Sequence, residues 1–262
     1  MIRERVDALV CDLDGVIYRG DDVIEGAPEA IAELRVRGSR VIFWTNNSRA
    51  TVAQYAAKLG RMGIETEPDD ILTSAIVTAA ELARRGYEGR RALVIGGPGI
   101  REALGEVGIE VVGDGEAADV VVVGWDLDFS FDSMRAAARV VESGAPLIAT
   151  NDDAAYPAPD GLWPGTGAIL ASIEVASGRR GEVMGKPHRP MVEAVAARLA
   201  GSKRIAAVGD RPETDLAGAP ERGWMTILVL SGVTAPEDAD RVSPRPDLIV
   251  DSIAALPHVL DV

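Results

Sequence analysis

The stretch Ala8-Leu-Val-Cys-Asp-Leu-Asp-Gly-Val-Ile-Tyr-Arg-Gly20 decides the fold. An apolar run, Ala8 to Cys11, stops abruptly at Asp12 and Asp14, with Leu13 between them and Gly15 after. A short apolar run bounded by a turn signal predicts a buried parallel strand. Ligands of open α/β sheets bind just beyond the carboxyl ends of strands. Two carboxylates therefore stand where such a fold does its chemistry. Alternate residues of a strand point the same way, so both acids can begin facing one site. Two anions that close repel unless a cation or a shared proton intervenes. Taken alone, the pair also fits a helix N-cap or a solvated turn.

The same grammar continues outward. Helical spacing covers Ala30–Val36 and ends at Gly38. An apolar strand, Val41–Trp44, runs into Thr45-Asn46-Asn47-Ser48. Helices are predicted over Val52–Gly60 and Ile71–Ala83. From about residue 85 the alternation restarts, with strands at Arg91–Ile95, Asp119–Val123 and Pro146–Thr150. Helices are predicted there over Gly99–Val107, Phe131–Glu142 and Ala168–Ser177, with a structured loop over 151–167. After Val183 the outer pattern resumes with a helix over Met191–Leu199 and a strand over Ile205–Val208. A short helix over Leu216–Arg222, strands at Thr226–Leu230 and Leu248–Val250, and the segment Ser252–Leu256 complete it. Strands alternating with helices throughout predict an α/β protein with parallel sheets. Residues 1–84 and 183–262 read as one host domain, and 85–182 as an α/β domain inserted into it.

Composition narrows the function. A chain of 262 residues, 47% hydrophobic, suits two domains with sizeable cores. Lysine plus arginine is 27 and aspartate plus glutamate 41, a net charge of −14. Such a surface repels phosphate backbones and argues against a nucleic-acid binder. A small anionic substrate stays open if a cation sits in its pocket. One cysteine excludes an internal disulfide, and two histidines, His188 and His258, exclude a multi-histidine zinc site. Any metal should be hard and held by oxygen. No apolar signal segment or membrane-length run is evident, so the expected location is the cytoplasm, without membrane partners.

Four polar clusters follow apolar strands or turns of the host part: Asp12/Asp14, Thr45/Asn46, Lys186 and Asp210/Asp215. Each has a plain alternative. Thr45 and Asn46 could cap a helix, Lys186 could be a solvated lysine beside the Pro187 turn, and Asp210 could cap a helix. Their chemistry can still be stated. Asp12 is a candidate nucleophile, because a carboxylate can take a phosphoryl group and divide hydrolysis into two easier steps. Asp14 can protonate a leaving alkoxide and later accept a proton from water. Thr45 and Asn46 offer neutral donors to phosphate oxygens, with Asn47 as helper, and Lys186 offers a fixed positive charge. Two glycine-rich runs are weaker. Leu93-Val-Ile-Gly-Gly-Pro-Gly99 lacks the glycine spacing of a dinucleotide loop, and Pro98 removes an N–H, so it reads as a strand-to-helix turn. Pro164-Gly-Thr-Gly167 reads as a tight turn into a helix. Cys11 should point away from the acids into the core.

In order, type and spacing, DLDGVIYRG, WTNNS, GKPH and GDRPETD resemble the four motifs of the haloacid dehalogenase (HAD) superfamily. The inserted block, with VGWDLDFSF, ATNDD and PGTGAI, resembles subfamily IIA, the NagD-like, p-nitrophenylphosphatase and pyridoxal phosphate phosphatase branch. The resemblance implies a Rossmann-like parallel-sheet HAD core, residues 1–84 and 183–262, with an inserted α/β cap domain, residues 85–182. It implies a magnesium-dependent phosphatase acting on a small phosphorylated metabolite through an aspartyl-phosphate. The implied Mg2+ ligands are the side chains of Asp12 and Asp210 and the backbone carbonyl of Asp14, with Asp215 orienting partners from outside the metal's ligand shell. Asp14 argues against a dehalogenase, which would need another residue there. A phosphomutase, or a catalytically weak phosphometabolite-binding or sensing protein, is the alternative. The branch admits a homodimer. It also places a cap residue over the substrate in Asn151–Pro157, where pyridoxal phosphate phosphatases carry a histidine and this chain carries Tyr156. Tyr156 is accordingly expected to shape the leaving-group pocket, or else only to pack under the Pro157 turn.

Overall fold

The structure is a computed structural model and describes residues 6–158 and 161–261. In chain order its elements begin with β1 (Ala8–Cys11), β2 (Tyr18–Arg19), β3 (Asp22–Val23), α1 (Ala27–Val36), β4 (Arg40–Thr45) and α2 (Val52–Arg61). Then come β5 (Ile71–Thr73), α3 (Ser74–Arg84), β6 (Arg91–Ile95), α4 (Pro98–Glu106), β7 (Glu110–Val112), β8 (Val120–Val123), α5 (Phe131–Glu142) and β9 (Leu147–Ala149). After these lie β10 (Ala155–Ala158), β11 (Gly161–Pro164), α6 (Thr166–Ser177), β12 (Glu182–Val183), α7 (Arg189–Arg198) and β13 (Ile205–Gly209). The chain closes with β14 (Met225–Val229), β15 (Leu248–Val250) and α8 (Leu256–Val259). Among the described residues no helix is long and apolar enough to cross a membrane.

The chain divides into two compact units. The first comprises the described residues through Thr45, Tyr55–Leu72 and those from Val192 onward. Its sheet has the order β15-β14-β13-β1-β4-β5, and β1 lies parallel to both β4 and β13. All four residues of β1 are fully buried, which explains why its sequence is a continuous apolar run rather than an alternation. The chain leaves β1 toward β4 and β5, then returns to build β13, β14 and β15 on the other side. This reversal opens a crevice at the carboxyl ends of β1 and β13, the place where such sheets take ligands.

The second unit comprises Asn46–Gln54 and Thr73–Met191. Its five-stranded sheet has the order β12-β9-β8-β6-β7, with every pair parallel. Val121 and Val123 of β8 pack with Leu93 and Ile95 of β6, Ala137 and Val141 of α5, and Ile169, Leu170 and Ile173 of α6. Helix α5 starts where the sequence says it should, because Ser130 and Ser133 form a reciprocal capping box. Gly178 ends α6 in the left-handed region (φ 66°), where a side chain would be strained.

Several local expectations are corrected. Residues 71–73 form a strand, not the first turn of a helix; α3 begins only at Ser74, where the Thr73 side chain accepts the Ile76 N–H. Two consecutive buried apolar residues fit either period, and the neighbouring β4 edge selects the strand. The expected helix over 216–222 is instead a π-type turn at Pro212–Leu216 followed by a 3-10 turn at Pro220–Arg222. Pro220 cannot donate the N–H that a continuous helix needs. The expected loop over 151–167 contains the antiparallel pair β10 and β11, with Tyr156 opposite Trp163. Neither strand has a fully buried face, so no apolar alternation announced them.

Ile173 is fully buried between α6 and the second sheet. Ile173→Ala should destabilise that unit by about 2–5 kcal/mol through lost burial and a residual cavity. Urea unfolding followed by circular dichroism should show a lower midpoint for that unit.

Candidate active site

The site is built where β1 and β13 end. Cys11 pairs with Val208, so Asp12 and Asp210 each leave the sheet just past adjacent parallel strands. Asp12, Asp210 and Asp215 are 7%, 2% and 2% exposed. Each offers a carboxylate oxygen, and the three oxygens lie within 4.8 Å of one another. Asp14 is outside this trio. It is half-buried and bridges to Tyr18 in the tight turn where the Val16, Ile17 and Tyr18 N–H groups all reach the Leu13 carbonyl.

Two of the acids are held by the backbone. Asp215 Oδ2 accepts the N–H groups of Asp210 (3.1 Å) and Arg211 (3.0 Å), which sets the direction in which Asp210 leaves β13. Asp210 Oδ2 accepts the Val233 N–H at 2.6 Å, and its carbonyl accepts the Thr234 hydroxyl. The Ser231 hydroxyl donates to the Gly15 carbonyl at 2.7 Å and ties this loop to the turn after β1. Three glycines leave the room. A Cβ on Gly15 or Gly232 would strike the Asp210 carboxylate, and one on Gly209 would strike Asp215. Gly15 also has φ 82°, a region L side chains rarely adopt. The loop Ser231–Thr234 was not singled out in the sequence. Its only signal is Ser-Gly directly after the apolar run of β14.

Thr45 is the last residue of β4, 3% exposed, two positions beyond Phe43, which pairs with Cys11. It belongs to the same unit as the acids, whereas Asn46, Asn47 and Lys186 belong to the second. Within that unit Asn46 grips the Lys186 backbone at both ends. Its Oδ1 accepts the Lys186 N–H at 2.7 Å, and its Nδ2 donates to the Lys186 carbonyl at 3.1 Å. Nδ2 also donates to Asp153 Oδ2 at 3.1 Å. An amide has two protons to give, so these bonds engage both. Asn46 was expected to offer its side chain to a phosphate; here that side chain holds the lysine turn. Asn47 Oδ1 accepts the Arg49 N–H. Asn151, whose Nδ2 donates to the Asn46 carbonyl at 2.7 Å, and Asp153 are further members of this group. Both lie in the ATNDD phrase, which composition alone marked only as a loop.

Tyr156 is half-buried on β10, its ring 4.1 Å from the Trp125 ring at a 32° tilt. The Trp125 indole N–H donates to the Pro164 carbonyl, fixing that partner. Cys11 is fully buried, and burial pushes its thiol pKa up to about 12, with the Asp12 charge adding to the effect. A thiol so held is packing, not a nucleophile. The run Gly96–Gly99 joins β6 to α4, and Gly99 sits against the backbone carbonyls of Ser48 and Ala50. Gly165 and Gly167 sit against the Asp152–Asp153 backbone at the start of α6.

The donor set fits a hard divalent cation. All three side chains offer oxygen, they converge, and three buried carboxylates this close favour positive charge among them. Asp12 and Asp210 are suited to direct ligation. Asp215 spends Oδ2 on two N–H groups and is suited to orienting Asp210.

Comparison with known proteins agrees with the geometry. A family model described as haloacid dehalogenase-like hydrolase matches residues 9–110, and a second, HAD-hydrolase-like, matches residues 183–256. An acid sugar phosphatase of Staphylococcus aureus is 35% identical over 241 residues, 91% of this chain and 92% of that protein. The solved structure of a p-nitrophenyl phosphatase from Archaeoglobus fulgidus superposes with TM-score 0.90 at 32% identity, covering 98% of this chain and 100% of that one. A glycerol phosphate phosphatase from Mycobacterium tuberculosis, solved in complex with calcium, superposes with TM-score 0.89 at 31% identity, covering 98% of this chain and 75% of that one. The same phosphatase has been solved in complex with magnesium.

A cation that binds only the folded chain must raise its stability, by about 2.7 kcal/mol at a hundredfold excess over Kd. Millimolar magnesium should therefore raise the melting temperature of the wild type. Asp210→Asn, and Gly232→Ala, which drives a methyl into Asp210, should each remove most of that rise in a thermal-shift titration.

Proposed function

We propose, since this chain belongs to the haloacid dehalogenase-like hydrolase family and is a phosphoric monoester hydrolase, that it cleaves small-molecule phosphomonoesters through an aspartyl-phosphate on Asp12, with Mg2+ as cofactor. The observation that carries this reading is the buried group of Asp12, Asp210 and Asp215 at the crevice where the sheet order reverses.

In the first step an Asp12 carboxylate oxygen attacks phosphorus and the ester P–O bond breaks, while Asp14 gives its proton to the departing alkoxide. In the second, Asp14 takes a proton from water as the water attacks the phosphoryl group. Inorganic phosphate leaves and Asp12 is restored. Asp14 is half-buried and lies outside the acid trio, which leaves its carboxyl open to the leaving group and to water. Thr45 offers a hydroxyl to a phosphate oxygen, Asn47 assists, and Lys186 supplies positive charge to the transferring group. Asn46 acts on the phosphate through the lysine turn it holds. Asp12, Asp210 and the Asp14 carbonyl would hold Mg2+, which when bound lowers the repulsion between the incoming phosphate and Asp12. Asp215 keeps Asp210 in place.

Residues 1–84 and 183–262 serve in this reading as the catalytic core, and 85–182 as the cap that selects the leaving group. The sugar phosphatase and glycerol phosphate phosphatase among the relatives support a small phosphorylated sugar or polyol as substrate. Tyr156 supports it as well. Stacked on Trp125, it offers a ring face and a hydroxyl but no second ring nitrogen, which disfavours pyridoxal phosphate.

Asp12→Asn keeps the shape and removes the anionic attacker. Turnover on p-nitrophenyl phosphate with magnesium should fall by about three orders of magnitude or more. A variant retaining above about a tenth of wild-type turnover would exclude Asp12 as nucleophile.

Tyr156→Ala should raise KM, or reorder preference, across a panel of sugar, polyol and nucleotide phosphates. Turnover on p-nitrophenyl phosphate, whose leaving group needs little help, should change much less. Equal losses on every substrate, or none on any, would remove Tyr156 from specificity.

A further inference from the structure

His188 closes the turn that carries Lys186, its N–H donating to the Gly185 carbonyl at 2.9 Å. The chemistry proposed above does not use its side chain. Imidazole Nε2 lies 3.1 Å from Asp152 Oδ2. Asp152 sits in the stretch after β9 that also holds Asn46. There Asn151 Nδ2 donates to the Asn46 carbonyl, and the Asp153 carboxylate accepts from Asn46 Nδ2. A Cβ on Gly185 would strike the Thr150 carbonyl, so the two backbones run in direct contact. The lysine turn is therefore fastened to residues 150–153 on both sides of Lys186. Asn46 links Lys186 itself to Asp153, and His188 links the far end of the turn to Asp152. All these residues belong to the second unit.

We propose that His188 is a positioning residue, which through its ion pair with Asp152 holds the Gly185–His188 turn so that Lys186 meets the phosphate. This rests on the reading of Lys186 as the phosphate-binding cation. The contact makes a pH-dependent device of the turn. The bond to Asp152, with the charges of Asp152 and Asp153, holds the imidazole pKa above its ordinary value against the opposing effect of burial. The same bond holds the Asp152 carboxyl below its ordinary range. Both partners are charged between those two values. The fastening is thus complete below the ordinary histidine pKa and weakens as pH rises through the raised one. The side chains are 38% and 44% exposed, so water and salt screen the pair. Its effect should be a few-fold, not orders of magnitude.

The test measures kcat and KM of the full-length protein on p-nitrophenyl phosphate with magnesium, from about pH 5.5 to 9, a range that spans histidine titration. The proteins are the wild type, His188→Ala, Asp152→Ala and the double variant. Each single variant should raise KM about two- to fivefold below neutral pH while changing kcat less. The double variant should be no worse than either single. Wild-type KM should climb toward the variants' values at alkaline pH, and the gap should close. A gap constant with pH, or KM effects that multiply in the double variant, would overturn the proposal. Lys186→Met, measured alongside, separates the two readings. Wild-type kinetics for it would remove Lys186 from phosphate binding. A crippled Lys186→Met beside histidine variants that match the wild type at every pH would overturn the role of His188 alone.

Discussion

Three carboxylates crowded at the ends of two parallel strands are the constraint on which the first unit depends. Asp12, Asp210 and Asp215 bring their oxygens within 4.8 Å while almost wholly buried. Like charges this close repel, and burial removes the water that would screen them. The fold answers with directed N–H groups. Asp215 receives two from the backbone at Asp210 and Arg211, and Asp210 receives one from Val233. Gly15, Gly209 and Gly232 then clear the space that these carboxylates fill. Such an arrangement of converging carboxylate oxygens is suited to a cation.

The second unit solves a different problem, that of holding one lysine. A lysine side chain has many rotamers, and fixing its charge requires fixing its backbone first. Asn46 does so by taking the N–H and the carbonyl of Lys186 with one amide. Asn151 and Asp153 then hold Asn46. The Asn46 side chain is thereby committed to the Lys186 backbone and Asp153. Its importance would be felt through Lys186.

Much of this was legible in the chain. The fully buried runs Ala8–Cys11 and Val120–Val123 announced strands because residues covered on both faces must be apolar throughout. The bounds of helix α5, Phe131–Glu142, were read to the residue, and the Ser130 capping box that fixes its start is seen in the structure. Short elements without a continuous apolar face were illegible for the opposite reason. The two-residue strands β2 and β3 are too short for a periodicity to register, and the pair β10 and β11, half-buried and exposed, has no apolar face. At Ile71–Thr73 local sequence allowed helix and strand alike, and pairing within the sheet decided.

By itself, then, the sequence determined the strand–helix alternation and the chemical types gathered at the strand ends: acids after β1 and β13, a hydroxyl at the end of β4, a lysine before α7. Those features depend on local covering and on residue chemistry, which are written along the chain. Only the tertiary structure decided that Asp12 lies with Asp210 and Asp215 while Asp14 stands outside the trio. It also decided that Asn46 spends its amide on Lys186, and that His188 faces Asp152. These are contacts between residues 36 to 203 positions apart in sequence, and their geometry is set by strand order and loop packing, not by local pattern.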